Sequence, residues 1–148
     1  MVGRWFLATL LSERRDRQKL EPKLNGGKRG WDPNESAVVR IACELATRRY
    51  FDGTVDIYKI SKFVGELRGK IHSTMPPGQR ETEAVIRRAL GDADVIVGDH
   101  PLGIVNIQGA VVAQVRKKLG LTNGDVSQLI VDAECLAIEQ GWTPPLVP

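Results

Sequence analysis

Apolar residues return every three or four positions along most of this chain and bunch into β-branched runs in one part of it. In WDPNESAVVRIACELATRRY, Val38, Ile41, Ala42, Leu45 and Ala46 fall on one face of a helix over 34–50. Asp32 suits its cap, Pro33 its first helical position, and Glu35 completes a capping-box pattern. TVDI (54–57) reads as a short strand. A helix over 58–71 follows, because Ile57, Ile60, Val64, Leu67 and Ile71 recur every three or four residues, while Gly65 and Gly69 weaken its second half. HSTMPPG is a loop, because two prolines bar helix continuation. QRETEAVIRRALG predicts a helix over 79–91 with Thr82, Val85, Ile86, Ala89 and Leu90 inward. The runs Val95–Val97 and Ile104–Ile107, set around a turn rich in Gly, Asp and Pro, predict a β-hairpin over 95–107. Two more helices follow, over 109–119 and 124–140, and TPPLVP is extended.

One local pattern occurs three times, in LATRRYFDGTVDI, VIRRALGDADVI and VRKKLGLTNGDV. Each has basic residues, a breaker, then Asp with Val or Ile. Cations suit a helix C-terminus, Gly suits the stop and Asp suits the next start, so shared boundary chemistry explains the recurrence better than duplication.

The order helix, short strand, helix, helix, hairpin resembles that of a winged-helix domain. The likeness rests on FDGTVDIYKISKFVG, TEAVIRRALGDADVIVGD and LGIVNI and covers about half of the chain, roughly residues 33–108. It implies that 79–91 is a recognition helix and GDHPLG the tip of a wing. The expected fold is therefore mainly α with a small β-hairpin. A basic N-terminal arm (1–30) precedes a winged-helix-like domain (31–108), and a C-terminal helical hairpin (109–148) packs on it.

Charge sharpens this picture. The 148 residues carry a net +3, but residues 1–30 hold eight Lys/Arg against three Asp/Glu, while residues 31–148 hold 13 against 15. The basicity belongs to the arm, where Arg14, Arg15, Arg17, Lys19, Lys28 and Arg29 are suited to phosphate contacts. On the helix over 79–91, burial of the apolar face leaves Gln79, Arg80, Arg87 and Arg88 outside. Arg pairs with guanine edges or phosphates, and Gln with adenine. The expected function is non-enzymatic nucleic-acid binding, as a DNA-binding regulator. The competing expectation is a protein-interaction adaptor or assembly subunit, anchored to its partner by the apolar cluster Trp5, Phe6, Leu7, Leu10 and Leu11, which a DNA-binding arm does not need. Attachment of the same arm to an anionic membrane surface is a third reading, and self-association is compatible with all three.

The stretch VVAQVRKKLGLTNGDVSQLIVDAE has the layout of a helix-turn-helix, with Gly120 at the turn. Arg116 stands where such helices touch, however. The second helix offers Thr122, Asn123, Ser127 and Gln128 but no Lys or Arg, and continues into Asp132, Glu134 and Glu139, which repel phosphates. A helical hairpin closing the core is the better reading.

Catalytic chemistry finds little support. The two histidines, His72 and His100, have no nucleophile in a recognisable pattern. Asp92, Asp94, Asp99 and His100 lie close in sequence, but their spacing matches no EF-hand loop and no metal is expected. Cys43 and Cys135 lack an adjacent basic residue and read as small buried side chains. LNGGKRG is not a P-loop, no dinucleotide fingerprint occurs, and no cofactor is expected. No run of 18 apolar residues is present, and in VGRWFLATLL the basic cluster follows the apolar stretch, unlike a secretory signal. The expectation is a cytoplasmic protein.

Overall fold

The helix anticipated over 34–50 extends from Pro33 to Phe51 (α1) and is buried around most of its circumference. Ala37, Val38 and Val39 are buried in succession, as are Ile41, Ala42 and Cys43. Consecutive residues point in different directions around a helix, so neighbours must approach α1 from several sides. The small residues Ala37, Ala42 and Ala46 permit that approach. Thr47, fully buried, satisfies its hydroxyl by donating to the carbonyls of Cys43 (2.8 Å) and Glu44 (3.0 Å).

The computed structural model describes residues 33–70, 77–98 and 101–144. Among them α1 is followed by α2 (Ile57–Lys70), α3 (Gln79–Ala89), α4 (Pro101–Leu119) and α5 (Asn123–Glu139), with no strand. Three expectations are corrected here. Residues 54–56 are a link rather than a strand, and Ile57 opens α2 with its side chain largely in solvent. Residues 95–98 are irregular, and residues 101–107 are the first turns of α4, so the hairpin over 95–107 is not formed. The winged-helix order therefore lacks its wing among the described residues.

The physical reason lies in α4 itself. Pro101 occupies its first position, where a missing N–H costs nothing. Val105, Ile107, Val111, Val112 and Val115 recur at helical spacing and are buried. Their β-branching disfavours a helix by only a few tenths of a kcal/mol each, and tertiary packing overrides that.

Helices α4 and α5 each pack along α1, which is thereby flanked on two sides. α1 and α4 run in the same direction. Pro33 and Ala37 share a cleft with Ile104 and Val105 at one end, and Tyr50 lies near Lys118 at the other. α5 returns antiparallel: Asn34 Oδ1 accepts from the Thr143 N–H at 2.9 Å, and Arg49 lies near Asp125. α2 and α3 pack together and close a further side. Tyr50, Phe51 and Phe63 pin α2 to the end of α1, with ring centroids 4.8–5.4 Å apart in edge and tilted arrangements.

The boundary chemistry anticipated from the recurring pattern is realised. Four helices end with a residue at positive φ, namely Asp52, Gly91, Gly120 and Gly141. In each case the next N–H bonds five residues back, as from Gly53 to Arg48, Asp92 to Arg87, Leu121 to Arg116 and Trp142 to Ala137.

Candidate nucleic-acid interface

On α3 the apolar stripe Thr82, Val85, Ile86 and Ala89 is buried as the spacing required, with Leu90 half-buried, and the polar face points outward. Its side chains are largely engaged within the molecule. Arg87 donates to Asp92 Oδ2 from Nε (3.1 Å) and an η nitrogen (2.7 Å), clasping the turn after its own helix. Arg88 donates to the Val95 carbonyl at 3.0 Å and holds the irregular 95–98 segment. Gln79 donates to the Ser61 carbonyl (3.2 Å) and to Glu83 Oε1 (2.8 Å), tying α3 to α2. Arg80 alone of the four is exposed without such a bond. The arm residues Arg14, Arg15, Arg17, Lys19, Lys28 and Arg29 lie outside the described residues, as do Trp5, Phe6, Leu7, Leu10 and Leu11.

A second basic surface, not anticipated, forms where the chain ends of several helices meet. Because α1 and α4 run parallel, their basic last turns come to one pole, bringing Arg48 and Arg49 together with Arg116, Lys117 and Lys118. α2 starts at the same pole and adds Lys59 and Lys62. Lys59 donates to the Tyr50 carbonyl at 3.2 Å and sits 4.8 Å from the Tyr50 ring centroid. Lys118 pairs with Glu66, and that hydrogen bond raises the ammonium pKa. The pole thus carries seven Lys/Arg against four acids (Asp52, Asp56, Glu66 and Asp125), while the rest of the described chain carries six against nine. The body is therefore polarised, although its net charge is near zero. Cations also complement the carbonyl ends of α1 and α4, a structural role that explains part of their placement.

Arg116, expected to obstruct helix contact, instead spans the α4–α5 turn. It donates to Asn123 Oδ1 at 2.8 Å and reaches the Leu121 carbonyl at 3.5 Å. The start of α5 is closed by a full capping box between Thr122 and Asp125, with bonds of 2.8 and 3.1 Å. The Thr122 backbone N–H, then its hydroxyl, then the charge of Arg49 hold the Asp125 carboxyl below its usual pKa. Val55, Ile57 and Tyr58 project into solvent beside the pole, Tyr58 being 88% exposed.

The cysteines behave differently from each other. Cys43 is buried in α1, and desolvation pushes its thiol up to about 12. Cys135, expected to be buried, is exposed on α5. His72, Asp99 and His100 lie outside the described residues, and among those described no cluster of ligating side chains suits a metal ion. Among the same residues no helix is long and apolar enough to cross a membrane.

No protein-family model, no curated protein and no solved structure matches this chain.

Proposed function

We propose that this chain binds nucleic acid without catalysis, through its basic pole. The pole grips phosphates, and the N-terminal arm with Arg14, Arg15, Arg17, Lys19, Lys28 and Arg29 extends the contact. The observation that carries this reading is the convergence of the basic ends of α1 and α4 with the start of α2. Lys and Arg side chains placed along phosphates release counterions, and that release drives sequence-independent affinity. Base reading by Gln79, Arg87 and Arg88 is not part of the proposal, because Gln79 and Arg87 are committed to partners within the molecule and Arg88 lines the cleft beside the 95–98 segment. Arg80 adds an outlying contact.

The test uses fluorescent duplex DNA and the full chain at about 50 and 200 mM salt, compared with the triple variant Arg48→Gln, Lys62→Gln, Lys117→Gln. The side chains of these three are exposed and bond to nothing among the described residues, so their replacement leaves the fold intact. The variant binds more weakly on every sequence, and its log K versus log salt slope falls by about 2.7, which is 0.9 for each lost phosphate contact. Equal affinity and slope for variant and parent, or no binding by the full chain at the lower salt, refutes the proposal.

The exposed Val55, Ile57 and Tyr58 beside the same cations favour a second reading. In it the pole meets an acidic protein surface that receives Tyr58, and the Trp5–Leu11 segment anchors the partner. Absence of nucleic-acid binding, together with a partner interaction lost in Tyr58→Ser, supports it over the first.

A further inference from the structure

Buried side chains in this body mostly find partners inside it. Thr47 bonds within α1, and Thr82 donates to the Gly78 carbonyl at 2.9 Å. Gln108 on α4 is different. It is only 7% exposed and its amide bonds to no described residue, yet its polar atoms keep access to solvent, unlike Gln114 Nε2, which is buried without a partner among the same residues. The amide borders a cleft of about 490 Å³ between α1, α3, the 95–98 segment and α4. Arg40 and Arg88 stand on the same cleft, and Val85, Val97 and Ile104 form its apolar wall.

Both arginines keep donors in reserve. Arg40 uses one η nitrogen on Glu44 (2.9 Å) and the other on Gln140 (3.3 Å), and Arg88 uses one on Val95. A guanidinium carries five N–H donors. The cleft thus sets two cations against one carboxylate, Glu44, for a net charge of one. Its volume lies within the roughly 300–1,000 Å³ of small-molecule sites.

We propose that this cleft is a binding site for a small organic monocarboxylate. The carboxylate lies between Arg40 and Arg88 and takes a hydrogen bond from the Gln108 amide, while a short apolar body covers Val85, Val97 and Ile104. A phosphate monoester fits less well: it carries about −1.5 to −2 at neutral pH, exceeding the cleft's charge, and Glu44 repels the excess. The site is independent of the basic pole and stands or falls apart from it.

The test is an NMR titration of the full chain with phenylacetate, phenylacetamide and phenyl phosphate, each taken to about 10 mM, near the weak end of specific binding. Phenylacetate shifts the Gln108 side-chain amide and Arg88 Nε–H signals saturably. Phenylacetamide, which lacks the charge, binds at least about tenfold more weakly. Gln108→Leu weakens phenylacetate about tenfold. The same substitution melts no lower than the parent, since the Gln108 amide bonds to no described residue and its loss breaks no hydrogen bond. That variant therefore reports on binding even if Arg88→Gln, which also releases Val95, disturbs the segment. Absence of saturable shifts at these two residues, equal binding by Gln108→Leu, or a preference for phenyl phosphate overturns the proposal.

Discussion

Substitution at Asn106 tests whether the β-branched stretch after Pro101 is helical, and the sign of the result decides it. Asn106 is exposed in the second turn of α4, and its side chain makes no hydrogen bond among the described residues. A substitution there therefore reads backbone preference with little change in contacts. In a helix, Ala is better than Asn by about 0.6 kcal/mol, Val is close to Asn, and Pro is worse by about 3 kcal/mol because it removes an N–H and clashes with the preceding turn. In a hairpin strand, Val is best and both Asn and Ala are poor, over a span of about 1 kcal/mol. The helical structure thus orders stability as Ala, then Val with Asn, then Pro far below. Urea unfolding followed by far-ultraviolet circular dichroism measures the order. With a slope of about 1–3 kcal/mol per molar, the gain from Asn106→Ala moves the midpoint up by about 0.2–0.6 M. If Asn106→Val is the most stable of the set and Asn106→Ala is no better than the parent, the assignment of residues 101–107 to α4 is wrong.

Four further outcomes follow from the geometry. Thr122→Ala removes one half of the α5 capping box and costs about 1 kcal/mol in denaturant unfolding. Because Asp125 has a folded pKa below its unfolded one, its contribution is complete above about pH 4 and fades as pH falls through the folded value. The stability gap between the parent and Asp125→Asn therefore closes in acid, and a gap that widens below pH 4 contradicts the assigned bonds. In thiol titration of the native chain, Cys135 reacts at once, whereas Cys43 reacts at the rate of unfolding, since burial keeps its thiol protonated and covered; two fast thiols contradict the packing of α1. Gly120→Ala meets no neighbouring atom within 4 Å, so its cost of about 1–2 kcal/mol arises from the left-handed backbone alone. A neutral result, measured as a thermal midpoint, places the end of α4 elsewhere.

The local chemistry of this chain was legible before any coordinates. Helix faces such as Ile60, Val64 and Leu67, or Val85, Ile86 and Ala89, follow from spacing alone. So do the stops at Gly91 and Gly120, because a left-handed residue ends a helix whatever surrounds it. The start of α4 is the exception, since its β-branched run suits a strand as well as a helix. β-branched residues carry a modest intrinsic preference, and only burial against α1 shows which alternative gains more.

The candidate sites are the opposite case. Arg87 and Arg88 were correctly expected on the outer face of their helix, but their engagement with Asp92 and Val95 depends on where the following turn runs. Arg48, Lys62 and Lys117 are separated along the chain, and nothing in their spacing announces a common surface. Arg48 and Lys117 meet because α1 and α4 pack in parallel, and Lys62 joins them because α2 starts at the same pole, choices made by the shapes of whole helices rather than by any neighbouring residues. The same holds for Gln108, Arg40 and Arg88 around one cleft. Periodicity and turn chemistry act over a few residues and can be read from them. Charge convergence and cleft formation arise between distant segments, so their physical cause exists only once the helices are assembled.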